Sequence, residues 1–244
     1  MLLALLGGLA GAIAGSFIAA LTLRWPQGRS IVAGRSQCDE CEHVLGPLEL
    51  VPLLSFAMLR GRCRHCGAAI APRHLWVEIA GAGIGAAALV QGLPGIGLVL
   101  FGWGLLALAI LDVEHFWLPN LLALPLGLAG LACGLWLPPA LLDRGIGAAV
   151  GFASLAGIAA GYKALTGRTG MGGGDPKLFA AIGAWVGWTV LPFVLLLAAL
   201  LGLLLVASDR LQGRMVTGQT RIPLGALLAV AAFPAALLAP MLLP

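Results

Sequence analysis

Leu98-Val99-Leu100-Phe101-Gly102-Trp103-Gly104-Leu105-Leu106-Ala107-Leu108-Ala109-Ile110-Leu111-Asp112 decides the class of fold: an unbroken apolar run that stops at a carboxylate. Similar runs recur along the chain. Of its 244 residues 60% are hydrophobic and 10% charged, where soluble domains carry about 25% charged residues. The mean hydropathy is +1.02. The runs lack the alternation of outer-membrane strands, so helices have to satisfy the backbone in lipid.

Spans of roughly 17 to 23 residues, enough to cross about 30 Å of hydrocarbon, are expected at 2–23, 75–92, 94–111, 118–137, 145–162, 176–188, 190–207 and 223–243. The expected fold is an all-α membrane protein, a polytopic bundle of about eight transmembrane helices with a small cytoplasmic zinc-binding insert. Only Gly187 and Pro192 punctuate the sixth and seventh spans, so one long re-entrant segment is the alternative there. The domains read as a first transmembrane helix over 1–23, a polar insert over 24–74 and a membrane domain over 75–244.

The first span has no basic residue before it and Arg24 directly after it, the reverse of a signal peptide's charged start, and it is read as a retained anchor. With the N-terminus outside, 13 of the 14 lysines and arginines fall on the cytoplasmic side and only Arg144 lies outside. The net charge of +4 then reflects basic loops beside anionic membrane lipid. Without a basic stripe and interleaved aromatics, nucleic acid is not an expected partner.

Residues 24–74 hold seven arginines, four of the five cysteines and three of the four histidines. Cys38-x-x-Cys41 and Cys63-x-x-Cys66, separated by 21 residues, suit a four-thiolate Zn2+ site. A segment of this size buries little apolar surface, so a metal would supply folding energy. Two disulfides are the competing reading, disfavoured in a reducing cytoplasm. His43 and His65 are read as solvated loop histidines, and Cys133 as a small buried hydrophobe.

Two aspartates at membrane level, Asp112 and Asp175, carry the functional expectation. A carboxylate near lipid is costly and usually faces a polar cavity. In the expected topology both lie at the cytoplasmic face, where a close pair shares one proton and can act as general base and general acid on a peptide bond. Gly172, Gly173 and Gly174 permit unusual backbone conformations or close approach before Asp175. Its simpler reading is an ordinary helix cap. Asp112 ends a helix, where the dipole disfavours an anion. Glu114 and His115 lie beside it, yet no second histidine makes a catalytic metal site. Glu78 either faces the interior or reaches the headgroups, and Lys177 either positions substrate or counts as a basic loop residue.

These residues resemble the bacterial prepilin peptidase family of intramembrane aspartic proteases. The likeness includes Gly15-Ser16-Phe17, both cysteine pairs, Pro52-Leu53-Leu54-Ser55, Arg60-Gly61-Arg62-Cys63, Pro72-Arg73 and Glu78. Asp112 with Leu118-Pro119, and Gly172-x-Gly174-Asp175-x-Lys177-Leu178, are similar to its two aspartate motifs. The resemblance implies cleavage of type IV prepilin or pseudopilin precursors at the cytoplasmic face of the inner membrane by Asp112 and Asp175. It also implies methylation of the new N-terminus with S-adenosylmethionine. Glu42 stands where relatives commonly have glycine, and no nucleotide-binding glycine loop marks the methyl donor's site. The rival readings are a transporter that passes ions or protons along its acids and a zinc-module scaffold with inert acids.

Overall fold

The computed structural model describes residues 1–30, 35–38, 40–215, 217 and 220–242. Its elements are α1 (Leu2–Arg24), the short α2 (Leu54–Met58), α3 (Pro72–Leu89), α4 (Gly95–His115), α5 (Asn120–Cys133), α6 (Leu141–Thr166), α7 (Asp175–Val186), α8 (Leu191–Leu211) and α9 (Leu224–Leu242). Among the described residues there is no strand, only isolated antiparallel bridges at Gln37–Val44 and Arg62–Ala69. The chain divides into a unit over 1–107 and a unit over 108–244, with the boundary inside α4.

A helix occupies each of the eight expected positions, but length and composition do not confirm the count of eight spans. Four helical segments among the described residues are long and apolar enough to cross a membrane: Leu2–Gln27, Gly95–His115, Leu141–Thr166 and Leu191–Leu211. The other four are shorter or more polar. α5 and α7 have 14 and 12 residues, and α3 carries Arg73, His74 and Glu78. The sixth and seventh segments are separate helices, parted at Gly187 with φ +75°. The protein is a multi-pass membrane protein.

In the first unit, α1 packs on α3 through glycine. Gly7 and Gly11 lie against the carbonyls of Gly85 and Gly81, and a Cβ at Gly15 would sit 2.7 Å from the Glu78 Cα. Lipid tails are as apolar as leucine, so membrane helices gain little from hiding apolar surface and gain instead from close backbone approach. Arg73 locks the same pair, donating to the Ala19 carbonyl at 2.8 Å and to Thr22 Oγ1 at 2.7 Å. Its positive charge thereby meets the carbonyl-rich end of α1.

In the second unit, Gly147 and Gly151 of α6 meet α7 at Gly183 and Phe179 in the same manner. Trp185 of α7 donates its indole N–H to the Leu126 carbonyl of α5 at 2.8 Å. Arg144, expected to be an outside loop charge, is buried, with 3% of its surface exposed. Its guanidinium donates to the carbonyls of Pro139, Gly130, Pro138 and Ala184 at 2.9, 2.9, 3.0 and 3.2 Å. It joins α5, α6 and α7 by answering backbone oxygens that lipid cannot.

Gly11→Ala should cost about 1–3 kcal/mol by forcing α1 off α3. Gly83→Ala, where an added methyl meets nothing within 4 Å, should be neutral or stabilise by up to about 1 kcal/mol. Thermal unfolding of both variants in detergent checks the contrast.

Candidate active site and cysteine cluster

The two aspartates meet where three helices of the second unit begin or end. α4 runs one turn beyond Asp112 to His115, so this residue lies inside the last turn instead of closing the helix. Phe116, at φ +50°, ends the run. Asp175 is the first residue of α7, with Gly174 before it at the cap position. The side chains are 5% and 6% exposed, so both are removed from bulk water. Asp112 lies close enough to act on Asp175 through its charge.

The first turn of α9 holds the pair. The backbone N–H of Ala226 donates to Asp112 Oδ2 at 2.8 Å, and that of Gly225 reaches both carboxyls. These N–H groups have no partner within their own helix and sit at its positive end. The dipole of α4 disfavours an anion at Asp112, and the dipole of α9 offsets it. Asp175 is not an ordinary cap of its own helix, since its Oδ2 accepts from the Gly172 N–H behind it at 3.0 Å.

None of Gly172, Gly173 and Gly174 has a positive φ. The expected need for special backbone conformations is replaced by a need for room. A Cβ at Gly174 would lie 2.7 Å from Leu118, and one at Gly172 would lie 3.2 Å from the Asp175 carboxyl. Gly225 is similarly constrained, 2.7 Å from Leu118 and 3.0 Å from the Asp112 carboxyl. Gly225 and Ala226 went unnoticed in the sequence. Pro223-Leu224-Gly225 marks a helix start, but nothing local says that one of its N–H groups points at an acid more than 100 residues away.

Lys177 donates to Asn120 Oδ1 at 2.9 Å, tying α7 to the start of α5. Glu78 belongs to the first unit and is 7% exposed. Its Oε2 accepts the Leu53 N–H at 2.8 Å, fixing a residue at φ +63°. Glu114 Oε2 and His115 Nε2 lie 3.9 Å apart. Among the described residues, no group able to hold a metal includes either aspartate.

The four insert cysteines come together as two matching knuckles. In one, the Cys38 N–H donates to the His43 carbonyl at 2.9 Å and the Glu42 N–H to the Cys38 carbonyl at 3.0 Å. In the other, Cys63 donates to Ala68 at 2.8 Å and Gly67 to Cys63 at 3.0 Å. All four Sγ atoms lie within 4.8 Å of one another, with Cys38 to Cys66 at 3.9 Å and Cys41 to Cys63 at 4.0 Å. A tetrahedral ion with bonds of about 2.3 Å needs sulfurs about 3.8 Å apart. Backbone N–H groups of Cys66 and His65 pull the Cys63 thiol down to about 7, while burial and the neighbouring thiols push Cys66 up to about 12, so the crowded sulfurs by themselves favour one thiolate, and it is their spacing that suits a metal. The residues present therefore fit a metal ion. Beside the cluster lies a cavity of about 370 Å³, with Arg24, Arg29, Glu49, Phe56, Arg64 and Glu78 in its wall.

A membrane protein with two buried carboxyls at helix ends and four clustered thiols is the class that the fold and site define. Residues 9–91 match the Bacterial Peptidase A24 N-terminal domain and residues 99–207 the Type IV leader peptidase family. The chain belongs to the type IV leader peptidase family. It is similar to a Pseudomonas aeruginosa protein, 39% identical over 212 residues, covering 83% of this chain and 71% of that one. A Burkholderia pseudomallei protein is 42% identical over 194 residues, covering 78% and 63%, and an Aeromonas salmonicida protein 42% over 179, covering 71% and 61%. Each of the three is named prepilin leader peptidase/N-methyltransferase. The chain thus spans about three fifths of the length of the Aeromonas relative, as the 61% coverage records. No solved structure matches it.

The equivalent knuckle positions Glu42 and Gly67 both have positive φ, +54° and +74°. Since a side chain there costs about 1–2 kcal/mol, Glu42→Gly should raise the resistance of the metal-loaded insert to heat and chelator, while Gly67→Glu should lower it. Thermal scans at fixed chelator concentration read both effects.

Proposed function

We propose that this chain is an aspartic endopeptidase that removes the leader from type IV prepilin or pseudopilin precursors. The observation that carries the reading is the pair of buried carboxyls, Asp112 and Asp175, facing one Gly225 N–H. The pair shares one proton. The ionised member takes a proton from water as it attacks the scissile carbonyl, and the protonated member delivers its proton to the carbonyl oxygen. Collapse of the tetrahedral intermediate then passes a proton to the leaving amine. Gly172, Gly225 and Ala226 hold the carboxyl oxygens by backbone N–H groups, and Gly172 and Gly174 leave room for the Asp175 carboxyl and for Leu118 to pack at the site. Lys177 with Asn120 braces the mouth of the site.

The insert over 24–74, between a first helix over 1–23 and a peptidase domain over 75–244, is a folding module whose Cys38, Cys41, Cys63 and Cys66 would hold structural Zn2+. The relatives' names support a second activity, N-methylation of the exposed N-terminus, for which S-adenosylmethionine supplies the methyl group. The cavity in the first unit suits that donor. Its volume lies in the range of small-ligand sites, its arginines match a carboxylate, and its glutamates match an ammonium and ribose hydroxyls. Glu78 shapes this wall through Leu53. The loops rich in arginine and lysine support a location of the aspartates and insert at the cytoplasmic side of the inner membrane. Family membership favours this reading over a transporter.

Co-expression with a pilin-type precursor, read by intact mass, tests the proposal. Asp112→Asn and Asp175→Asn should each reduce leader removal by at least about 10³-fold with thermal stability retained, and undiminished processing by either variant overturns the reading. Gly225→Ala should slow cleavage on the order of 10²-fold, because its methyl displaces the Asp112 carboxyl while the chemistry is left in place. Single-turnover rates on purified precursor measure this.

A further inference from the structure

His43 and His65, expected to be solvated loop histidines, face each other with ring centroids 3.4 Å apart and planes 33° from parallel. Glu49, from the short helical turn Pro47–Leu50, completes the group, and the three donor atoms lie within 4.8 Å of one another. The carboxylate is anchored on one side only. Its Oε2 accepts the Gly46 N–H at 2.7 Å, while Oε1 is buried without a hydrogen-bond partner. A buried acceptor left unanswered is costly and calls for a ligand. Two imidazoles and a carboxylate are the donors that zinc and similar divalent ions take at about 2.0–2.2 Å. The imidazoles are exposed, so small ring rotations close the remaining gap.

We propose that His43, Glu49 and His65 form a second, open divalent-metal site, distinct from the cysteine cluster, with zinc its occupant by donor type. The two sites share a scaffold. His43 follows Cys41 by two residues and His65 lies between Cys63 and Cys66, so ordering of the knuckles presents both imidazoles. Glu49 also lines the cavity of the first unit. Three protein ligands and one exchangeable position bind more weakly than four thiolates, and the second ion is released first.

The test uses tag-free full-length protein in detergent, stripped and reloaded with Zn2+, then counted by mass spectrometry after dialysis. The wild type should hold two equivalents, one of them lost to a mild chelator. His65→Ala and the conservative Glu49→Gln should each weaken the second equivalent at least tenfold and leave the first. Co2+ added to protein with one Zn2+ already bound should show ligand-field bands without thiolate charge transfer. A single equivalent in the wild type, or a second that binds equally in both variants, overturns the proposal. Failure of the cysteine site is read separately, as absence of the thiolate band when Co2+ is the first metal added.

Discussion

A charge taken out of water has to be met by dipoles that the protein holds in place, and this constraint organises the second unit. Asp112 and Asp175 are answered by N–H groups from the start of α9 and from Gly172. That arrangement requires the end of α4, the start of α7 and the start of α9 to converge, with Leu118 wedged against Gly174 and Gly225. Arg144 obeys the same rule with opposite sign, distributing its donors over backbone carbonyls of three neighbouring segments. Among the described residues, neither the acids nor the arginine is in an ion pair.

Convergence on this scale depends on helices approaching closely, which explains where glycine falls. α1 and α3 meet through Gly7, Gly11, Gly81 and Gly85, and α6 and α7 through Gly147 and Gly183. Where lipid competes equally for apolar side chains, backbone contact supplies the attraction that burial supplies in water. A larger residue at the α6–α7 crossing would push α7 away and displace the helix start that carries Asp175.

Much of this was legible in the chain. The apolar runs place the helices, because hydropathy and backbone satisfaction leave few alternatives in lipid. Paired cysteine spacing brings out the thiol cluster, since each knuckle is a local turn. Asp112 and Asp175 stand out by the cost of their setting. What could not be read is long-range. Gly225 and Ala226 look like any helix start, and Arg144 looks like a loop charge. His43, Glu49 and His65 are ordinary in sequence and become a group only when both knuckles fold. Run length also leaves the span count unconfirmed: α5 and α7 are apolar yet short, and α7, shielded by its neighbours, need not match the bilayer.

That last point bears on depth. At 1.5 Å per residue, the 12 residues of α7 extend only about 18 Å, well short of a bilayer of about 30 Å. A lipid-facing helix of that length would thin the membrane around it. α7 escapes this because it is buried along its length, save for Lys177 and Ala180. Freed from hydrophobic matching, its N-terminus can be recessed to any level its neighbours allow, so the vertical position of Asp175 is set by protein packing and is insensitive to the thickness of the surrounding lipid.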